Sequence, residues 1–271
     1  MDITLAFCSI SALDRSLADA AAAAATAGLR ALEVTAHPPH LDPMAGVEAA
    51  RAAARNVRAA GVEIVAYGSY LGRFGQIERA HAAREAALAA ALETRLLRVW
   101  AEPIPDGSSD LSPVLDLLRC ACDAAAADGI TVVVERHLGS FADTPEQIDR
   151  LLDAIDRPNV ALNYQVLDFL PCDAAAAQPA DAARLASRAR YCHLKNYQRN
   201  PQDGGPLLPG GSLAEGVLDY RAILAALIDA GYRGPLTIEF LAADPRPVEE
   251  KLAADAHFVR AVLAELAATG A

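Results

Sequence analysis

Short runs rich in Val, Ile and Leu alternate with longer, alanine-rich amphipathic stretches along the whole chain, the rhythm of strand followed by helix. The pattern repeats eight times and predicts strands over Ile3 to Cys8, Ala31 to Thr35, Val62 to Tyr67, Leu96 to Trp100, Ile130 to Glu135, Val160 to Tyr164, Tyr191 to Lys195 and Leu236 to Phe240. Most of these runs are apolar on both faces, as a strand is when a parallel sheet is covered on each side. Eight such units predict an α/β protein, a (β/α)8 barrel with a parallel eight-stranded barrel and outer helices, forming a single domain over residues 1–271.

The punctuation supports the same reading. Gly28, Gly61, Gly129 and Gly231 stand just before strands two, three, five and eight, where a helix must end and hand the chain back. Thr144, Pro145 and Gln147 predict a capping-box start for the helix after strand five. Pro245 and Pro247 mark the entry to the last helix, and the Gly- and Pro-rich stretch from Gln198 to about Gly216 predicts a long irregular loop after strand seven, over the catalytic face.

Composition removes several function classes. Hydrophobic residues make up 53% of the 271, and aromatics only 5%, which suits many close-packed helices. A net charge of −11 disfavours nucleic acid as a partner, since binding a phosphate backbone depends on clustered Lys and Arg. The five cysteines show no CxxC pair, which points to a reducing cytoplasm. No basic leader precedes the first strand, and no stretch approaches about 18 uninterrupted apolar residues, so a membrane partner is not expected. The expected partner is a small carbohydrate-like molecule, with a homo-oligomer left open.

A closed parallel barrel gathers chemistry at the C-terminal ends of its strands, and four consecutive strands end in groups capable of it. Strand five ends in Glu135 with His137 two residues on. Strand six ends in Asn163 and Tyr164, with Gln165 and Asp168 just beyond, strand seven carries His193 and Lys195, and strand eight Glu239. Neighbouring strands lie about 4.8 Å apart, so side chains from such an arc converge on one ion or one small substrate. Trp100 offers an apolar wall for a sugar or a core residue. His37 and His40 follow strand two in a proline-bounded loop: they either cover the substrate or stand exposed at the surface. His81 and His257 fall in helices and are expected at the surface. Lys195 is one of two lysines against twenty-two arginines, a hint that an ammonium is wanted there.

The stretches VVVERH through Glu135, LNYQVLDF through Gln165, YCHLKN through His193 and LTIEF through Glu239 resemble the xylose isomerase-like barrel superfamily, as does AEGVLDY before the seventh helix. That superfamily includes sugar isomerases, ketose 3-epimerases, hydroxypyruvate isomerases, inosose-metabolising enzymes, 3-dehydroshikimate dehydratases and the endonuclease four group. The resemblance implies an isomerase or epimerase acting on a keto-sugar or related polyol carbonyl compound. It implies Glu135 and Glu239 as proton-transferring residues, and a divalent metal, Mn or Mg, held by Glu135, Gln165, His193 and Glu239. His137, Lys195, Trp100, Asp168 and His37 would contact substrate. Two positions depart from the family pattern, which has an aspartate followed three residues later by a histidine where this chain has Gln165 and Asp168. A neutral amide oxygen is the weaker ligand for a hard cation. A lyase on the same scaffold, of the dehydratase or C-glycoside-cleaving type, and a metal-free sugar-binding barrel are the alternatives.

Overall fold

The computed structural model describes residues 3–103, 110–202, 204–240 and 246–269. Eight parallel strands close into a barrel: β1 (Leu5–Cys8), β2 (Ala31–Thr35), β3 (Glu63–Gly68), β4 (Leu96–Val99), β5 (Thr131–Glu135), β6 (Val160–Tyr164), β7 (Ala189–Leu194) and β10 (Leu236–Ile238). The last pairs with both β7 and β1. Between β7 and β10 the long loop is not wholly irregular, because Tyr197–Gln198 (β8) and Leu208–Pro209 (β9) pair antiparallel. The helices are α1 (Leu17–Thr26), α2 (Gly46–Ala59), α3 (Arg79–Ala91), α4 (Ser112–Ala126), α5 (Pro145–Ile155), α6 (Gln178–Leu185), α7 (Tyr220–Asp229) and α8 (Val248–Thr269). Among the described residues no helix is long and apolar enough to cross a membrane.

The predicted strands β2 and β6 have the observed bounds, and the others differ by one to two residues at one or both ends. Lys195 and Phe240 lie just past their strands, where the chain already turns into the next loop. All four glycines before strands adopt left-handed backbone, with φ between 64° for Gly129 and 93° for Gly231, the conformation that ends a helix cheaply only at glycine. Helix α5 begins on the full capping box, with the Thr144 side chain accepting from the Gln147 N–H and the Gln147 side chain accepting from the Thr144 N–H. Pro247 directly precedes α8, whereas Pro245 lies outside the described residues.

Because side chains alternate along a strand, each barrel strand sorts its residues into two sets. Leu5, Phe7, Leu32, Val34, Leu97, Val99, Val132, Val134, Leu162, Leu194, Leu236 and Ile238 join the large core between barrel and helices. The other parity faces the barrel axis, where Ala66, Val133, Ala161 and Tyr191 form a small separate cluster. The same inward parity carries Glu33, Arg98, Glu135, His193 and Thr237, all buried. The apolar periodicity therefore builds the shell, and the interruptions in it are what point inward.

One such interruption explains a glycine. Arg98 on β4 reaches Glu33 on β2, with Nη2 3.4 Å from Oε1, across the intervening strand β3. A Cβ at Gly68 would lie 2.2 Å from Glu33 Oε1 and 2.7 Å from Arg98 Nη2. Gly68 is thus required for space, since the pair crosses where its side chain would be.

These contacts set two stability outcomes. Gly68→Ala should split the Glu33–Arg98 pair and lower the unfolding free energy by about 2 kcal/mol, the worth of one buried contact between charged groups that each keep other partners; a urea midpoint equal to the parent protein's would refute the packing argument. Thr144→Ala should cost about 1 kcal/mol through loss of the α5 cap, seen as a lower midpoint with an unchanged denaturant slope.

Candidate active site

The inward parity of the strands carries a continuous network of buried charge at the C-terminal end of the barrel. Glu33 is fully buried and satisfies two donors through Oε2: the Tyr191 hydroxyl at 2.7 Å and His193 Nε2 at 2.6 Å. Thr237 donates to the Tyr191 oxygen at 2.8 Å. Burial alone would raise the Glu33 pKa, but the His193 and Arg98 charges and the Tyr191 hydrogen bond hold it at about 2. His193 is driven the other way: burial lowers its pKa, and the carboxylates of Glu33, Glu239 and Glu135 more than offset this, raising it overall. Its other ring nitrogen, Nδ1, lies 3.6 Å from Glu239 Oε2 and 3.4 Å from Asn163 Nδ2.

Arg98 also faces Glu135, with Nε 3.1 Å from Oε2. Glu135 Oε1 accepts from Gln165 Nε2 at 2.8 Å, and the same amide donates to the Arg136 carbonyl at 2.7 Å. This double donation fixes the orientation of the Gln165 side chain. Its Oε1 is buried without a hydrogen-bond partner, as are Glu135 Oε2 and Glu239 Oε2. Burial, and after it the Glu239 charge, raise the Glu135 pKa against the pull of Arg98, His193 and Lys195.

Lys195 closes the far side of the network. Its Nζ is 3.4 Å from Glu239 Oε2 and 3.2 Å from Asp168. Asp168 Oδ1 also accepts from the Tyr197 hydroxyl at 2.7 Å. Burial opposes the Lys195 charge, but Glu239, Asp168 and Glu135 raise its pKa well above the usual range, so it is an ammonium. The main chain at this point is pinned by Tyr220, whose hydroxyl donates to the Lys195 carbonyl at 2.6 Å and accepts from its N–H at 3.0 Å. The next residue, Asn196, donates to the carbonyls of Leu213 and Leu218 and accepts from the N–H of Leu218. A Cβ at Gly216 would lie 2.1 Å from Asn196 Cγ, which is why the AEGVLDY stretch needs a glycine there.

Beside the charges stands an aromatic wall. Trp100 is buried, donates through Nε1 to the Ser69 carbonyl at 3.0 Å, and stacks against Tyr70 with ring centroids 6.3 Å apart. The His137 ring meets it edge-on at 5.0 Å, and the Arg73 guanidinium carbon lies 3.9 Å from its ring centroid. Burial, then the Arg73 charge, lower the His137 pKa, which favours a neutral imidazole.

Glu135, Gln165, His193, Lys195 and Glu239 are joined by these contacts, with Asp168 attached through Lys195 and His137 beside Trp100. His37 is exposed, its Nδ1 meeting the Pro38 carbonyl. Its neighbour His40 is not at the surface as expected; it is buried, with Nε2 3.1 Å from the Ala12 carbonyl and 3.2 Å from that of Arg15. His81 is half-buried in α3, against the expectation of a surface position, and His257 is exposed. The chemistry is also not confined to strands five to eight. Glu33 on β2 and Arg98 on β4 are central to it, and each was visible as the single charge inside an otherwise apolar run, ALEVT and LLRVW. Tyr191 and Tyr197 carried no comparable signal, because a tyrosine in or beside a strand is ordinarily a packing residue.

An ion held at about 2.1 Å from its donors keeps any two of them within roughly 4.2 Å of each other. Among the described residues, the only group of three His, Cys, Asp or Glu donors lying mutually within 4.8 Å is Cys8, Glu33 and His193. There His193 and Glu33 are already hydrogen-bonded to each other, and Cys8 stays a thiol because burial, with Glu33 nearby, raises its pKa. Glu135, His193 and Glu239 do not close to that distance. The carboxylate and imidazole donors of the implied set thus do not, as they stand, all lie within reach of one ion.

Comparison with known proteins agrees with this architecture. The chain is 28% identical over 143 residues to the inosose dehydratase of Geobacillus thermodenitrificans, covering 46% of this chain and 45% of that protein. It is 26% identical over 164 residues to the 3-dehydroshikimate dehydratase of Bacillus anthracis, covering 54% and 57%. The matched region thus spans about half the length of each of these relatives. Among solved structures, a xylose isomerase domain protein from Planctomyces limnophilus superposes with a TM-score of 0.75 at 19% identity, covering 98% of both chains. An L-ribulose 3-epimerase gives 0.74 at 16%, covering 99% and 97%, and a Mycobacterium smegmatis xylose isomerase-like barrel in complex with magnesium gives 0.67 at 17%, covering 92% and 88%. At these identities the structures speak for the fold. Residues 21–262 match the family directly, and the chain belongs to the xylose isomerase-like TIM barrel family.

Proposed function

We propose that the chain is an enzyme of carbon-acid chemistry: it removes the proton α to the carbonyl of a small polyhydroxylated substrate and returns it, as a sugar isomerase or epimerase does. The observation that carries this reading is the pairing of two buried glutamates with two fixed buried cations, Glu135 with Arg98 at 3.1 Å and Glu239 with Lys195 at 3.4 Å. A carboxylate is a competent base for an α proton only if the charge that appears on the carbonyl oxygen is stabilised at the same moment. Here base and cation stand side by side. One glutamate takes the proton, the C–H electron pair becomes the new C=C bond, and the carbonyl π pair moves onto oxygen, where an ammonium or guanidinium N–H meets it. The second glutamate, on another strand, returns a proton to the same or the neighbouring carbon. Trp100 and His137 provide the apolar face and a neutral imidazole for the remaining hydroxyls, and Asp168 would accept from one of them.

Dehydration is the second reading, and one arrangement favours it. Lys195 and Glu239 are adjacent, so a base for the α proton and an acid for a β hydroxyl lie on the same side of the pocket, as a syn elimination requires. The leaving hydroxide would take the Lys195 proton and depart as water. The two curated relatives, both dehydratases by name, support this branch.

Incubating the protein in D2O with open-chain ketoses and with cyclic polyhydroxy ketones, and following both deuterium incorporation and products by NMR and mass spectrometry, separates the outcomes. An isomeric product, heavier only by the deuterium it has taken up, is expected for the isomerase or epimerase, and a product that has lost one water for the dehydratase. Glu239→Gln should reduce either rate by roughly 10³-fold or more. Undiminished exchange in that variant would mean that the carbon acid is deprotonated elsewhere.

A further inference from the structure

The acidic side chains of this pocket are matched by cations belonging to the chain itself. Glu135 accepts from Gln165 on Oε1 at 2.8 Å, and its Oε2 lies 3.1 Å from Arg98 Nε as an ion pair; Gln165 spends its amide N–H groups on Glu135 and the Arg136 carbonyl, so it offers an ion only its neutral Oε1. Glu239 is held by Lys195, which Asp168 and Tyr220 fix from the other side. Gathering Glu135 and Glu239 around a dication would break these contacts and set a double positive charge against a buried guanidinium and a buried ammonium. In a site of low dielectric that repulsion is not screened away.

We propose that this pocket works without a resident divalent metal, the Lys195 ammonium and the Arg98 guanidinium supplying the positive charge that stabilises the developing enediolate. The catalytic half of this statement rests on the carbon-acid reading above; the metal half rests on donor geometry alone. Gln165 and Asp168 then have a common explanation. A glutamine at 165 supplies the N–H that anchors Glu135 where an aspartate would repel it, and an aspartate at 168 holds the Lys195 ammonium where a histidine would not. The substrate oxygen accepts a hydrogen bond from Lys195, no bond forms to the nitrogen, and the proton removed from carbon resides on a glutamate until it is returned to carbon or, after elimination, passes to the Lys195 amine that gave its own proton to the leaving hydroxide.

The test begins with protein purified without chelator. Elemental analysis should find no stoichiometric divalent metal, calorimetric titration with Mn²⁺ and with Mg²⁺ should show no saturable binding, and α-proton exchange should be unaffected by EDTA. One equivalent of bound ion, saturable binding of either ion, or exchange lost on chelation and restored by Mn²⁺, would overturn the proposal. Absence of metal together with absence of exchange on every ketone tried would uphold metal independence and defeat the carbon-acid reading, so the two fail separately.

Lys195→Met should lower exchange by roughly 10²–10³-fold and, by removing the competing charge, create a Mn²⁺ site that titrates. Lys195→Arg, which keeps the charge, should leave Mn²⁺ unbound and serves if the methionine variant does not fold. Full exchange in the methionine variant, or saturable Mn²⁺ binding in the arginine variant, would show that Lys195 does not take the role of a metal.

Discussion

A carboxylate buried at the centre of a closed barrel must be paired, because removing one ion from water costs several kcal/mol and nothing in a wall of Leu, Val and Ala can compensate. Glu33 is that carboxylate, and much of the site's geometry follows from satisfying it. It draws the His193 ring by one nitrogen, the Tyr191 hydroxyl on β7 and the Arg98 guanidinium from two strands away. Arg98 then reaches Glu135, and Glu135 orients Gln165. The same requirement dictates a glycine on β3, since the pair passes through the space a side chain would fill.

The Lys195 end is built differently. There the ammonium is fixed less by the barrel strands than by the loops and the helix around it: Tyr220 at the start of α7 grips its main chain, and Asp168 and Tyr197 come from the loops after β6 and β7. One half of the site is therefore made by strands and is as rigid as the barrel. The other half is carried by loops held through Asn196 and Gly216, and differences in substrate among proteins of this fold would be expected to be written there. The metal-ligand set implied by the family resemblance straddles the two halves. In this chain each carboxylate of that set is paired with a cation from its own half.

The apolar rhythm alone determined the architecture. Eight runs of β-branched and leucine residues separated by alanine-rich helices admit few arrangements other than a closed parallel barrel, and the glycines before strands and the Thr144–Gln147 box are local features that read the same in isolation as in the folded chain. Alternation along each strand also determined which residues share a face, so Glu135, His193, Lys195 and Glu239 were legible as candidates. What periodicity cannot supply is the partner of a charge. That Glu33 meets His193 depends on a contact between residues 160 positions apart; that Gln165 presents its N–H rather than its oxygen to Glu135, and that Asp168 serves Lys195, depends on the closure of the barrel and the path of two loops. His40 shows the same limit, being buried by the carbonyls of a distant turn and not by anything in its own proline-bounded segment. Local sequence fixes period, face and punctuation because these are properties of a few consecutive residues, while the pairing of buried charges is decided only when distant strands are brought within hydrogen-bonding distance.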